Sequence, residues 1–143
     1  MRSRLFAYVA IAAAVLGGFA LVADALSTSD EEAVEALVDD LAEDAGSGVL
    51  AWTDPGLEPV SLQRHGNVAR FSGGDESDLD DAVADALSGF DAGDLEVVQR
   101  SVDVNGDRAS VAVRARADGE MHDAQFRLVR REGVWLVTRI VAG

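Results

Sequence analysis

The sequence predicts an α+β fold: an N-terminal apolar helix, then two amphipathic helices packed on a curved antiparallel sheet with a C-terminal four-stranded meander. Three observations predict it: an uncharged apolar run at residues 5–23, apolar residues at helical spacing in two later segments, and alternating segments separated by glycine turns in the C-terminal half. Helices followed by a run of strands are typical of layered α+β domains. We therefore expect a linker at residues 26–29 and a single domain at residues 30–143.

The first 25 residues are interpreted as a signal peptide or a membrane anchor. Two arginines precede the apolar run at residues 5–23, and Asp24 ends it. The run has the length of a membrane-spanning helix, which needs about 20 apolar residues. Residues 23–25 also fit the small-residue cleavage site of a signal peptide, and the mature chain would then begin at Leu26. Because positive flanks stay in the cytoplasm, both alternatives place the domain outside it: in the cell membrane as a single-pass protein, or secreted or periplasmic after cleavage near Ala25.

The first amphipathic helix is predicted to start at Ser29, which has capping-box spacing to Glu32. Its apolar residues recur at the spacing i, i+3, i+4 and i+7, which places them on one stripe: Val34, Leu37, Val38 and Leu41. Asp40 lies off this stripe. Gly46 and Gly48 are predicted to end the helix.

Two short elements and a second helix are predicted next. Residues 49–52 form a helical turn against the first helix, and residues 58–71 form a hairpin with its turn at His65 to Asn67. The second helix is predicted to start at Ser77. Its apolar stripe comprises Leu79, Val83, Ala86, Leu87 and Phe90.

The C-terminal half predicts four antiparallel strands. Asn105-Gly106 and Asp118-Gly119 are signals for tight type I′ hairpin turns, and Glu132-Gly133 marks a third reversal. Residues 108–117 alternate small apolar and polar side chains, as expected for a strand with one buried face. Residues 134–141 are apolar on both faces, which predicts a strand that lies centrally in the sheet or beneath the helices.

This ending resembles the nuclear transport factor two-like superfamily, in particular the segment FRLVRREGVWLV at residues 126–137 after a strand, an Asn-Gly turn and a second strand. The likeness covers residues 30–141 in element order and residues 107–141 in pattern. It implies a cone of helices and bent sheet around a pocket, as in isomerases, cyclases, dehydratases and non-catalytic binding modules. The hairpin predicted at residues 58–71 departs from the helical stretch usual in that family. The resemblance also implies a homodimer through the sheet face.

Catalytic members of the superfamily use an acid–base pair in the cone, and the candidates for it here are His122 and Asp123. Adjacent strand residues point to opposite faces, so these two cannot form a direct pair. His65 lies in a predicted turn and Tyr8 in the apolar run. Cysteine is absent, and no cofactor or metal motif is present, so we expect no enzyme, no cofactor and no metal site.

The distribution of charge along the chain indicates which partners and which surface to expect. The formal net charge of −14 disfavours nucleic acid as a partner. Residues 24–94 hold 19 acidic residues and 2 arginines, a balance of −17, whereas residues 95–143 have a balance of +1. We expect three arginines, together with Arg139, on the sheet face away from the helices: Arg114, Arg116 and Arg127. That face is either an ordinary solvated surface or an interaction face for an acidic partner or a second copy.

These observations favour a non-catalytic extracytoplasmic binding or interaction domain, membrane-anchored or secreted, whose ligand the sequence does not name. Two alternatives stay open at this point. One is a small-molecule enzyme of the cone-fold type, isomerase-like or dehydratase-like, with His122 or Asp123 as its acid–base residue. The other is a self-associating structural subunit that uses the arginine face.

Overall fold

The computed structural model describes residues 22–91 and 94–142, in which helices cover one face of a curved six-stranded sheet. The helices are α1 (Val22–Glu43), α2 (Ala45–Leu50) and α3 (Glu76–Ala86), followed by a 3₁₀ turn at Ser88–Asp91. The strands are β1 (Val60–Arg64), β2 (Asn67–Phe71), β3 (Glu96–Asn105), β4 (Arg108–Ala117), β5 (Glu120–Arg131) and β6 (Val134–Ala142). The α+β class is confirmed.

The sheet has the order β2-β1-β6-β5-β4-β3. β1 lies parallel to β6, and all other neighbours are antiparallel, so the sheet is mixed and the prediction of a purely antiparallel sheet is wrong. The parallel pair arises because the β1–β2 hairpin joins the free edge of β6, and the chain returns through α3 before β3 begins. The C-terminal meander and the central position of β6 are confirmed.

The first amphipathic helix begins earlier and ends earlier than its sequence signals predict. α1 runs through residues 26–29 without a break, so Ser29 is not its start and the backbone expected to be a linker is helical. Residues 22–29 contain no glycine or proline that would stop a helix. α1 ends at Glu43, and Asp44 caps α2 by accepting from the backbone N–H of Ser47. Gly46 and Gly48 therefore lie inside α2 rather than ending α1.

α2 packs against α1 at very short range. A Cβ on Gly48 would lie 2.2 Å from the carbonyl oxygen of Asp40, so only glycine fits there. Asp40 itself is buried, with 5% of the residue exposed, although it lies off the apolar stripe. The indole Nε1 of Trp52 donates to its carboxylate at 2.8 Å, which supplies a partner for the buried acid.

α3 begins at Glu76, one residue before the predicted start at Ser77. Asp75 occupies the cap position but makes no cap hydrogen bond, because its carboxylate accepts from the backbone N–H of Ser72 at 2.9 Å. The predicted stripe packs as expected, with Leu79, Val83, Leu87 and Phe90 buried, while Ala86 is only partly covered.

The hairpin at residues 58–71 is confirmed as β1 and β2, with a turn at His65 and Gly66. The turn between β3 and β4 differs from the prediction. Asn105 pairs with Arg108, so Gly106 and Asp107 form the two-residue turn, and only Gly106 has positive φ, as a type II′ turn requires. This register sets Val104 opposite Ala109. It also lets the Asp107 carbonyl accept from the backbone N–H of Arg130 at 2.7 Å.

The sheet has two chemically distinct faces. The inner face packs on the helices and joins the α1 and α3 stripes in one core, with Val60, Leu62, Val111, Val113, Ala124, Phe126, Leu128, Val137 and Ile140 buried. The outer face points away from the helices. It carries the residues of each strand that alternate with the buried ones. Register shifts at residues 97–99 of β3 and 127–128 of β5 mark bulges, which increase twist and bending.

Most of the predicted membrane segment, residues 5–21, lies outside the described residues. Within residues 22–91 and 94–142, no helix combines the length and hydropathy that crossing a membrane demands.

Candidate functional site

The two candidate acid–base residues lie on opposite faces of β5. His122 faces the helices opposite Ala115, and Asp123 lies on the outer face opposite Arg114. Asp123 accepts from Nε of Arg114 at 2.9 Å. This contact raises the pKa of Arg114, chiefly through the hydrogen bond that Arg114 donates to Asp123 and then through the carboxylate's charge. Asp123 is thus part of an exposed ion pair and does not point toward the core.

His122 lines a pocket of about 210 Å3 where the inner sheet face meets the 3₁₀ turn. We call it the mouth pocket; besides His122 it is lined by Arg64, His65, Ala86, Ser88, Gly89, Phe90, Asp123 and Ala142. The His122 ring lies 5.9 Å from the Phe90 ring, centroid to centroid, and a Cβ on Gly89 would lie 2.5 Å from its Nδ1. Among the described residues no carboxylate is hydrogen-bonded to this imidazole.

A row of polar side chains crosses the whole outer face. Strand register places six outer-face residues side by side, from the β3 edge to the β2 edge: Asp103, Ser110, Arg127, Arg139, Ser61 and Arg70. Arg127 and Arg139 are direct cross-strand partners at its centre. The adjacent row runs from Ser101 through Ala112, Gln125, Val141 and Gln63 to Val68.

These two rows line an open groove of about 520 Å3. We call it the outer groove, and its outer-face lining residues are Gln63, Ser101, Ser110, Ala112, Gln125, Arg127, Arg139 and Val141. The short side chains of Ser101, Ser110 and Ala112 leave room between the longer ones, which gives the groove its depth. Nη2 of Arg139 donates to Oε1 of Gln63 at 2.6 Å.

The described arginines fall into two groups, those that have a carboxylate partner and those that do not. Those that pair with carboxylates are Arg64 with Asp85, Arg100 with Asp39, Arg114 with Asp123, Arg130 with Asp30 and Asp107, and Arg131 with Glu58. Five arginines form no ion pair within residues 22–91 and 94–142: Arg70, Arg108, Arg116, Arg127 and Arg139. Strand register places all five on the outer face. The structure thus puts Arg114, Arg116 and Arg127 on the face where the sequence placed them.

The sequence did not predict the β1 and β2 residues that lie beside the outer-face arginines and complete the polar rows. Arg70, Ser61 and Gln63 reach the outer face beside Arg139 only because β1 pairs in parallel with β6. No local pattern in residues 60–71 specifies that pairing partner. As for metals, no group of three or more ligating side chains suited to a metal ion occurs in the described part of the chain.

Comparisons with known proteins identify the fold. Neither a protein-family model nor a curated protein sequence matches the chain. Similar solved structures include a nuclear transport factor two-like protein of unknown function from Pseudomonas putida, with TM-score 0.58, 16% identity, and coverage of 81% of this chain and 87% of that one.

Two further solved structures give the same result. A protein from Shewanella frigidimarina, provisionally named a ketosteroid isomerase, has TM-score 0.57, 16% identity, and coverage of 78% and 92%. A nuclear transport factor two-like protein of unknown function from Silicibacter pomeroyi has TM-score 0.53, 17% identity, and coverage of 82% and 97%. A helical layer on a bent six-stranded sheet, shared at this level by proteins of such low identity, establishes that this chain has the nuclear transport factor two-like fold.

Proposed function

We propose that the chain is a non-catalytic binding domain that operates outside the cytoplasm and binds an acidic partner through its outer sheet face. One observation carries the proposal: the five arginines without an ion pair among the described residues all lie on that face. The chain has 26 acidic residues and 12 basic ones, so carboxylates outnumber basic side chains by more than two to one. Cations left without a carboxylate in such a chain are best explained by an anion that comes from outside.

The distribution of apolar side chains favours a polar partner over a second copy of the same face. Met121, Val68 and Val134 are exposed at the periphery of the outer face, while its centre carries Arg127 and Arg139. Interfaces between proteins usually have the opposite arrangement, with an apolar centre and a polar rim. Stacking two outer faces would also bring four central arginines together, which costs electrostatic free energy. Self-association through this face is therefore the weaker hypothesis.

The placement outside the cytoplasm rests on the sequence. Arg2 and Arg4 precede the apolar run at residues 5–23, and the acidic residues follow it. This order of charges favours a cytoplasmic N-terminus and an external domain. The proposal therefore includes a single-pass anchor, with secretion after cleavage near Ala25 as the alternative.

Site-specific photo-crosslinking in cells that contain the full chain tests which face binds. A benzophenone side chain is placed at Met121 or Val68 on the outer face, and at Asp81 on α3 as the matched exposed control. We expect adducts from the two outer-face positions and none from Asp81. Adducts confined to Asp81, or none from either outer-face position, would contradict the proposal.

An enzyme of the cone-fold type is the second candidate, and His122 is the observation that favours it. This imidazole is partly buried and lines the mouth pocket. The pocket volume of about 210 Å3 is below the range of about 300–1,000 Å3 typical of small-molecule sites. Because one solved structure of this fold is provisionally named a ketosteroid isomerase, a β,γ-unsaturated ketosteroid is the first substrate to assay. We expect no isomerisation; turnover that disappears in His122→Ala would favour the enzyme.

A further inference from the structure

We propose that Arg127 and Arg139 together bind one oxyanionic group, a carboxylate or a phosphate, of a small molecule seated in the outer groove. This inference rests on the proposed function, since it names the chemistry of the ligand that the outer face would take. It concerns a site outside the cone and does not involve the mouth pocket.

The two cations lie side by side at the centre of the outer face. Arg127 and Arg139 are directly opposite each other on β5 and β6, where like charges repel and destabilise the sheet. Neither has a carboxylate partner among the described residues. An anion between the two guanidinium groups would turn this repulsion into attraction, because each can donate a pair of parallel hydrogen bonds to an oxyanion.

Further polar side chains flank the two arginines. Gln63 accepts from Nη2 of Arg139 at 2.6 Å, which orients that guanidinium and leaves its other N–H groups available. Ser110 lies directly opposite Arg127, and Ser61 is paired with Arg139. Hydroxyl and guanidinium donors thus occur on four adjacent strands along one row, with the two arginines at its centre and a serine on either side.

The surroundings of the two arginines hold few carboxylates and leave space for a ligand. Asp103 lies at the β3 end of the same row, separated from Arg127 by the β4 strand, and it is the one carboxylate of that row. Asp123, farther along the outer face, is already paired with Arg114. The groove volume of about 520 Å3 falls within the range of ligand sites and exceeds what a bare ion fills. A small molecule with an anionic head group therefore fits better than a free inorganic ion.

The test uses the full chain in nonionic detergent micelles and a low-chloride buffer, because salt screens exposed charges. Inorganic phosphate, succinate and the neutral analogue succinamide are titrated while the thermal midpoint is followed, since a ligand of the folded state raises Tm. We expect a rise with phosphate or succinate and none with succinamide. The stronger of the two anions identifies the head group as phosphate or carboxylate.

Variants locate the effect. Arg127→Gln and Arg139→Gln should each weaken anion binding about ten-fold or more, since a charge-assisted hydrogen-bonding group is lost. Arg100→Gln is the charge-matched control, because Arg100 is exposed on the helix side of β3, pairs with Asp39 and lies outside the groove lining; it should leave anion binding unchanged. Without anion, Arg127→Gln should be as stable as the original chain or slightly more stable, because the repulsion is relieved.

Three results would overturn the site: no Tm response to either anion, an equal response in the Arg127→Gln/Arg139→Gln double variant, or equal weakening by Arg100→Gln. Crosslinks from Met121 and Val68 that persist without any anion response would reject the oxyanion site and leave the proposed function standing. An anion response that depends on Arg127, without outer-face crosslinks, would support the site and reject the acidic partner of the proposed function.

Discussion

Arg130 makes more ionic contacts than any other described arginine, and it joins the beginning of the domain to the sheet. Its guanidinium donates to Asp30 at 2.7 Å and to Asp107 at 2.8 Å, and lies 5.3 Å from the centre of the Trp135 ring. Asp30 is in α1 and Asp107 is in the turn between β3 and β4, so one side chain ties three elements together. Such networks contribute more than isolated surface pairs.

We therefore expect Arg130→Gln to lower the free energy of unfolding by about 1–3 kcal/mol, because two hydrogen-bonded carboxylates and an indole lose their cation. Urea denaturation followed by circular dichroism measures the change. Arg116→Gln is the control, and it should change stability by less than about 0.5 kcal/mol as an exposed substitution without an ion pair among the described residues. Equal effects of the two substitutions would contradict a special role for Arg130.

The pH dependence of this contribution follows from the direction of the pKa shift. The hydrogen bond to Asp107, and then that to Asp30, raise the pKa of Arg130 above its ordinary value. When folding raises the pKa of a basic group, the resulting stabilisation is fully present below the unfolded-state pKa. It is lost only as the pH rises through the folded-state pKa. The difference in unfolding free energy between the original chain and Arg130→Gln should thus stay constant from about pH 7 to 10. A decline within that window would contradict it.

At the scale of elements, the contact between α1 and α2 depends on one glycine and not on its neighbour two residues earlier. A Cβ on Gly48 would lie 2.2 Å from the carbonyl oxygen of Asp40, whereas a Cβ on Gly46 would meet its nearest atom, Cα of Ala84, at an ordinary 3.5 Å. The two glycines belong to the same helix, so they form a matched pair of test positions.

Gly48→Ala should lower the free energy of unfolding by about 1–3 kcal/mol or more, because α1 and α2 must move apart and the bond from Trp52 to Asp40 is disturbed. Gly46→Ala should be neutral or raise it by up to about 1 kcal/mol, because alanine is the better helix former. Thermal unfolding of the two variants side by side measures the contrast. Similar destabilisation by both would show that the close approach at Gly48 does not matter.

Local patterns predict the elements better than their ends or their partners. The stripe from Val34 to Leu41 and the hairpin at residues 58–71 follow from periodicity and turn chemistry, which act over a few residues. The burial of Asp40 and the Gly106-Asp107 turn do not, since they depend on contacts with Trp52 and Arg130 that are distant in sequence. A capping signal such as Ser29 can occur inside a helix when nothing before it stops the helix.

At the scale of the whole molecule, the sequence predicts which residues share a face but not which ones become neighbours. Alternation in β4 and β5 suffices to place Arg114, Arg116 and Arg127 on the outer face. The outer groove also needs β1 beside β6, which brings Gln63 to Arg139. Strand order is a property of the assembled sheet, so this part of the candidate site could not be derived from the chain alone.

The asymmetry of charge along the chain leads to a prediction about where the molecule resides. The apolar run at residues 5–23 follows two arginines and precedes a segment with a balance of −17, an arrangement that opposes transfer of the N-terminus and permits transfer of the domain. We expect the full-length chain to stay in the membrane fraction after carbonate washing, and its domain to be digested by protease added outside intact spheroplasts.

The control for this placement is a variant that weakens the apolar run without touching the domain. Val15→Asp/Leu16→Asp introduces two charges near the centre of the run, each unfavourable there by about 3 kcal/mol, and should move the chain to the soluble cytoplasmic fraction. A soluble external chain beginning at Leu26 would decide for secretion after cleavage. Both placements would be contradicted if the original chain were found at full length in the cytosol and protected from external protease. The partner of the outer face would then have to be sought inside the cell.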